Sequence, residues 1–156
     1  MTARGAWNTL SGTAAGRWLF SRIVCFKAPY FASIKPVFDV LEPGRGVARL
    51  RKRRAVTNHI GTVHAIAMAN LCEFVAGTLT EVSLPRTMRW IPRGMQINYL
   101  AKAATNISAT GTFPEIVDGE AQDVVVPVVV TDTAGKVVVT ADITMYVTPQ
   151  PGTRPG

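Results

Sequence analysis

The sequence predicts an α+β domain in which a curved antiparallel sheet wraps around one long central helix, with an additional helix at the N-terminus. Two observations predict this fold. Residues 62–81 are almost wholly apolar over a helical length, and a helix that is hydrophobic on nearly all sides must be covered on nearly all sides. Six further segments have the composition of strands, two before this helix and four after it.

The composition limits the kind of protein. The chain has 156 residues, of which 47% are hydrophobic, which is enough for one domain with a core. Its formal charge is +7, from 17 basic and 10 acidic residues, and no acidic residue precedes Asp39. This balance favours an anionic partner. It does not choose between nucleic acid, a phosphorylated cofactor and a membrane surface.

The N-terminal segment is predicted to be a helical flank over residues 1–35. Apolar residues recur along residues 8–26 at roughly helical spacing, which predicts a helix with one apolar face that packs on the domain as a lid or flank. They are Leu10, Ala14, Trp18, Ile23 and Phe26. An acid-free start that contains arginine is also typical of an organelle transit peptide, although an amphipathic helix accounts for it equally well.

The domain itself is assigned to residues 36–148. The expected strands are Val37–Leu41, Val47–Arg53, Met95–Ala103, Asn106–Phe113, Val124–Thr131 and Lys136–Val147. Thr62 is expected to cap the long helix and Pro85 to stop it, and Pro127 predicts an edge position or a bulge in its strand. The tail, residues 149–156, has three prolines and two glycines and is predicted to be disordered.

The long helix is not predicted to cross a membrane. Asn70 and Glu73 interrupt it, and its apolar run is shorter than the ~20 residues that a bilayer requires. Cys25 and Cys72 are the only cysteines, and there is no CxxC pair or histidine cluster. Neither a disulfide framework nor a metal site is therefore expected, and a reducing, cytoplasmic setting fits best.

One segment carries the chemistry. A polar loop with a glycine, Asn58-His59-Ile60-Gly61-Thr62-Val63-His64-Ala65, leads into the long helix, which carries Glu73 eight residues later. An unpaired carboxylate among apolar side chains is costly, so we expect Glu73 to find a partner or to take part in chemistry. The segment resembles the N-x-x-G-x-x-H-G-G motif of hotdog-fold acyl-CoA thioesterases of the phenylacetyl-CoA thioesterase type, which have an acidic residue on the helix.

The resemblance extends over about residues 36–148. The strand Ile97–Ala103, the small-residue strand Ser108–Gly111 and the final hairpin Val124–Val147 are similar to those of the family. The chain departs from the motif where Ala65 and Ile66 replace the two glycines, which indicates a divergent branch of uncharacterised function. The resemblance implies a homodimer that hydrolyses acyl-CoA or a related acyl thioester, with coenzyme A as part of the substrate and no separate cofactor.

Elementary chemistry assigns roles to four residues. Thioester hydrolysis needs donors for the oxyanion and a carboxylate that activates water or attacks directly. A helix start supplies free N-H groups, so Ala65 is the expected donor and Glu73 the carboxylate. Asn58 is a candidate to position water or the thioester, and His64 to orient them. Three of these residues also have a structural interpretation. Asn58 fits a turn or capping residue, His64 a structural histidine, and Glu73 a partner in an ion pair with an arginine.

Spacing predicts the assembly. Eight helical residues separate Ala65 from Glu73, which is ~12 Å and too far for both to act on one carbonyl. If both are catalytic, Glu73 must meet the loop of a second subunit, which predicts a twofold dimer with two interfacial sites. Association of two such dimers into a tetramer is left open.

Four further residues are candidates for substrate binding. Ile66, Asn70 and Gly77 share a helix face with Glu73, and Gly61 belongs to the motif loop. Gly77 either leaves room for an acyl group or lets a strand pack closely, and the sequence does not decide between these. Asn70 also fits a buried, satisfied amide.

The basic residues allow two interpretations. Arg49, Arg51 and Arg53 alternate along one strand, which fits a solvated face or a site for the phosphates of coenzyme A. The candidates for phosphate contact are Arg53, Arg89, Arg93 and Lys102. A non-catalytic acyl-CoA-binding module is the main alternative function. A nucleic-acid binder is less favoured because aromatic residues are not interleaved with the cations, and a dehydratase because no hydratase-type histidine-proline motif is present.

Overall fold

The structure, a computed structural model, describes residues 2–152. The helices are α1 (Ala3–Leu10), α2 (Ala14–Lys27) and α3 (Ala65–Ser83), with 3-10 turns at Pro29–Ser33 and Arg54–Val56. The strands are β1 (Val37–Glu42), β2 (Arg45–Leu50), β3 (Met88–Tyr99), β4 (Ile107–Thr112), β5 (Gln122–Asp132) and β6 (Val137–Pro149). All six form one antiparallel, curved sheet in the order β1-β2-β4-β5-β6-β3. The predicted hotdog arrangement is confirmed.

Helix α3 is the centre of the core. Every residue from Phe74 to Thr80 is buried. By length and mean hydropathy, 1.3, α3 could cross a bilayer, but 67% of its most apolar window is buried inside the domain. It is therefore a core helix, as the interruptions at Asn70 and Glu73 indicated.

The N-terminal flank consists of two helices where one was predicted. The chain turns after Leu10, and Thr13 begins α2 by accepting a hydrogen bond from the Gly16 N-H at 3.0 Å. Trp7 of α1, Phe20 of α2 and Phe38 of β1 pack edge to face, with ring centroids 5.2 to 6.2 Å apart. This aromatic cluster fixes the flank on the domain.

Strand β3 begins seven residues before the predicted Met95. The sequence predicts a start beyond Pro92, because proline cannot donate to a strand ladder, yet Pro92 pairs with Met145 beside a bulge at Arg93. Proline is tolerated there because β3 is the last strand of the sheet. At Pro127, strand β5 pairs only with β6, because the ladder between β5 and β4 ends at Val128. The N-H that Pro127 lacks is therefore not needed for pairing with β4.

Strand β6 extends to Pro149, one residue beyond residue 148, the predicted end of the domain. Pro149 pairs with Met88 as the last residue of β6, and the Gln150 N-H donates to the Thr87 carbonyl at 2.7 Å. Residues 153–156 of the predicted disordered tail lie outside the described residues.

Candidate active site

Asn58 organises the loop that precedes α3. Its Oδ1 accepts hydrogen bonds from the N-H groups of Ile60 and Thr62, both at 3.1 Å, and its Nδ2 donates to the Thr62 hydroxyl at 2.9 Å. Gly61 has a φ of +78°, a conformation that favours glycine. Asn58 and Gly61 therefore shape the turn that brings the chain into the helix.

The helix start presents a free donor. His64, not Thr62, caps α3, and its Nδ1 accepts a hydrogen bond from the Ile66 N-H at 3.1 Å. The Ala65 N-H has no acceptor among the described residues, while the Ala65 carbonyl accepts from the Tyr99 hydroxyl at 3.2 Å. The first amide of α3 therefore lies at the positive end of the helix dipole without a partner.

Glu73 is half-buried, and its carboxylate stands apart from the polar groups that the structure describes. No residue in the described range 2–152 forms an ion pair or a hydrogen bond with its carboxylate. Glu73 lines a cavity of about 610 Å³ with mostly apolar walls, among them Val24, Pro29, Phe31, Gly77, Trp90 and Pro92. The structural ion pair that the sequence allowed for Glu73 is not formed here, and its carboxylate faces an open, apolar space.

Gly77 lies one turn beyond Glu73, beneath a tryptophan. A Cβ on Gly77 would stand 3.0 Å from Cη2 of Trp90, and the Trp90 indole N-H donates to Glu81 at 2.9 Å. Close packing of a strand, one of the two interpretations of Gly77, is therefore present. Gly77 also lines the Glu73 cavity, so the other interpretation remains compatible with its position.

The four predicted catalytic residues fall into three separate cavities of one chain. Glu73 and Gly77 line the first. Asn58, Ala65 and Lys102 line a second, of about 330 Å³. The third, of about 180 Å³, is lined by His64, Ile66 and Asn70. The carboxylate and the free helix N-H therefore face different spaces within one chain.

Asn70 is a buried amide that is only partly satisfied. Its Nδ2 donates to the Ser33 hydroxyl at 3.2 Å, while its Oδ1 has no partner among the described residues. Ile66, by contrast, is exposed to solvent at the helix start. Neither residue lines the cavity that Glu73 faces.

Three of the four cations proposed for phosphate make other contacts. Arg93 forms an ion pair with both carboxylate oxygens of Asp123 at 2.8 Å and lies over the Tyr146 ring. Arg53 donates a hydrogen bond to the Ser33 carbonyl at 3.0 Å, and Arg89 donates one to the Thr148 hydroxyl at 3.2 Å. Lys102 is exposed at the rim of the Asn58 cavity.

Cys72, the neighbour of Glu73, is not available as a nucleophile. It is fully buried, and burial raises the pKa of its thiol to about 12. Burial also raises the pKa of Tyr99, with a smaller contribution from Cys72, so the Tyr99 hydroxyl remains a donor to Ala65. Among residues 2–152 no group of His, Cys, Asp and Glu could hold a metal ion.

Strand β3 leaves one edge and part of one face uncovered. It lies at the end of the sheet, and its apolar residues Met95 and Tyr99, which point toward the α3 side, remain about two-fifths exposed. Sequence reasoning missed Tyr99 and Trp90, because their contacts with α3 depend on the pairing register of β3, which no local pattern specifies.

The chain is similar to a protein family and to several proteins of known structure. Residues 16–147 match the family model described as "Domain of unknown function (DUF4442)". The chain is 42% identical to the structural-genomics protein APC5556, covering 95% of this chain and 98% of that one, with a TM-score of 0.82. No curated protein matches.

Two thioesterases of low identity share the fold. The thioesterase HI1161 from Haemophilus influenzae is 11% identical over 84% of this chain and 91% of its own, with a TM-score of 0.72. A hypothetical thioesterase from Streptococcus pneumoniae, solved with coenzyme A, is 18% identical over 81% of this chain and 98% of its own, with a TM-score of 0.68.

Proposed function

The chain belongs to the DUF4442 family, and we propose that it is a thioester hydrolase acting on acyl-CoA or a related acyl thioester. The observation that carries the proposal is Glu73, a carboxylate without a partner among residues 2–152 that faces an apolar cavity. A carboxylate without a partner beside an apolar cavity is available to act on a bound acyl thioester, and catalysis is the function that accounts for it. The fold shared with named thioesterases supports the same reaction class.

The mechanism uses two groups of α3. Glu73 removes a proton from water as the water oxygen attacks the thioester carbonyl carbon, and the Ala65 N-H donates to the oxyanion. The C-S bond then breaks, and the thiolate takes the proton that Glu73 holds. In the alternative route Glu73 attacks the carbonyl carbon itself, and the C-S bond breaks to release the thiolate and form an anhydride. Water then cleaves the anhydride, which restores the Glu73 carboxylate, releases the acid and supplies the proton that the thiolate takes.

The complete site requires two chains. Glu73 and Ala65 face different cavities, and ~12 Å of helix separates them. The free edge of β3 and the exposed Met95 and Tyr99 support a twofold dimer in which two β3 strands pair and the two α3 helices lie side by side. Glu73 of one chain would then face Ala65, Asn58 and His64 of the other. Two such dimers could associate further.

Substrate binding follows from the same cavities. The apolar cavity beside Glu73, about 610 Å³, suits an acyl group, and Lys102 at the rim of the Asn58 cavity suits a phosphate of coenzyme A. A structural neighbour solved with coenzyme A supports this substrate class. Cys25 and Cys72 are buried free thiols, which agrees with the cytoplasmic setting that we propose.

The test is release of free thiol from a panel of short, medium, long and aryl acyl-CoAs. Glu73→Gln should lower turnover by about 10²-fold or more, whereas Glu115→Gln, which changes an exposed carboxylate that lines none of these cavities, is the control and should retain it. Absence of turnover across the panel, or full activity of Glu73→Gln, would overturn the proposal. Thermal stabilisation by acyl-CoA without thiol release would identify a non-catalytic binder.

A further inference from the structure

Helix α2 exposes an apolar face that the domain does not cover. We define this face by Trp18, Leu19, Ile23, Phe26 and, in the turn that follows, Tyr30. Leu19, Ile23 and Phe26 recur at the helical period, and Phe26 is 87% exposed. Five large apolar side chains displayed together are unusual for a free surface and mark an interaction site.

The opposite face of α2 is fixed to the domain. Phe20, Ser21 and Cys25 are buried, and the Ser21 hydroxyl accepts from the Phe38 N-H of β1 at 2.9 Å while donating to Arg17 within the helix. The helix therefore cannot rotate its exposed face inward without losing these contacts. Since α2 is apolar on both sides, something outside the domain must cover the second side.

The charge of the segment that carries this face favours one kind of partner. Residues 1–38 contain five cations and no Asp or Glu, and the cations are Arg4, Arg17, Arg22, Lys27 and Lys35. Pairing of this face with the same face of a second copy would bring like charges together. Aromatic side chains flanked by lysine and arginine are instead typical of helices that lie at the surface of an anionic bilayer.

We propose that this face of α2 docks on an anionic lipid bilayer. Trp18, Leu19, Ile23 and Phe26 enter the boundary between headgroups and acyl chains, while Lys27 reaches toward the lipid phosphates and Arg22, which lies over the Trp18 ring, adds positive charge beside them. The protein is held at the surface and does not span it.

The docked face adjoins the Glu73 cavity. Lys27 and Tyr30, which is 69% exposed, line that cavity together with Val24 and Phe31. The mouth of the cavity would therefore lie close to the lipid, where long acyl thioesters partition. This second step rests on the proposed function, and it names the substrate class as membrane-associated, long-chain acyl thioesters.

The test is flotation of the full chain with vesicles of phosphatidylcholine alone or of phosphatidylcholine with phosphatidylglycerol. We expect binding to the anionic vesicles that weakens as salt is raised. Trp18→Ser with Phe26→Ser should lower partition about tenfold or more. Val117→Ser with Val137→Ser, which removes exposed apolar side chains elsewhere, is the matched control and should bind normally.

Several outcomes would overturn docking. One is failure of the wild-type chain to float with anionic vesicles, and another is unchanged flotation of the Trp18/Phe26 double variant. A third is a difference in mass between the wild type and the double variant, measured by light scattering without lipid, which would make this face a contact between copies. For substrate delivery, the double variant should hydrolyse a long-chain thioester presented in anionic vesicles more slowly but a soluble short-chain thioester normally. Absence of all hydrolysis in a wild-type chain that floats would refute the proposed function and leave docking intact.

Discussion

The indole ring of Trp90 lies against Gly77, with Cη2 3.0 Å from the position that a Cβ would occupy. Trp90 comes from the start of β3 and Gly77 from the buried middle of α3. Glycine costs an ordinary helix about 1 kcal/mol relative to alanine. Because Gly77 has no side chain, the Trp90 ring can lie against α3 and form one wall of the Glu73 cavity.

We expect Gly77→Ala to destabilise the protein despite its better helix propensity. The added methyl group must displace the Trp90 ring, and overpacking costs about 1–3 kcal/mol, which exceeds the gain of about 1 kcal/mol in the helix. Trp90→Phe removes the atom in conflict, so Gly77→Ala should become stabilising in that background. Urea unfolding of the four proteins in the double-mutant cycle measures both signs. A destabilising effect of equal size in both backgrounds would contradict this contact.

Ala65→Pro should remove the oxyanion donor and leave the helix intact. Proline is favoured at the first position of a helix, and the preceding His64 already has φ −66° and ψ 140°, as a residue before proline requires. Turnover should fall about 10²-fold or more, with an unfolding temperature close to that of the wild type. Ala65→Gly retains the N-H and is the control. Full activity of Ala65→Pro would refute the role of this N-H.

Mixing two inactive variants should restore thioesterase activity, because each supplies the group that the other lacks. In a dimer of one Glu73→Gln chain and one Ala65→Pro chain, one site combines an intact Glu73 with an intact Ala65, whereas the other has neither. Random pairing makes half of the dimers mixed, so thiol release should return to about a quarter of the wild-type level. The double variant on one chain, mixed with itself, is the control and should remain inactive. Failure of the mixture to recover activity, with mixed dimers demonstrated by mass, would exclude the shared site.

Lys102→Ala should weaken binding of acyl-CoA and leave the chemical step unchanged. A contact between an ammonium and a phosphate contributes about 1.5–3 kcal/mol, so KM should rise about tenfold or more while kcat stays constant. The effect should vanish with an acyl-pantetheine, which lacks the nucleotide. Arg93→Ala is the comparison, because Arg93 is engaged with Asp123, and its KM should not change. Equal effects on both substrates would argue against a phosphate contact.

Alkaline pH should destabilise the protein through Cys72. Burial raises the pKa of this thiol from 9.0 to about 12. Between these values the folded chain therefore holds a proton that the unfolded chain has lost. The stabilisation is complete below pH 9 and declines as pH rises toward 12. Urea midpoints measured across this range should fall with pH, and less steeply for Cys72→Ala. Parallel pH profiles for the two proteins would contradict the prediction.

The sequence predicted the elements whose signal is local. The apolar run around Leu71 and Leu79 indicated a core helix because almost every side of it is buried, and the alternation in β5 and β6 indicated their strands. The early start of β3 was missed because Pro92 breaks a strand pattern unless the strand is an edge, and edges are set by the order of the whole sheet. The Trp90 contact with Gly77 likewise depends on packing between distant segments.

Pro92 has a consequence for self-association. The outer edge of β3 offers main-chain donors and acceptors to any other strand, and uncontrolled pairing at such an edge leads to aggregation. Proline interrupts the row of donors, and the bulge at Arg93 bends the strand beside it. Beyond this interruption the edge runs from Gly94 to Tyr99, the end of β3. Pairing at this edge is therefore confined to six residues, which is long enough for one twofold contact.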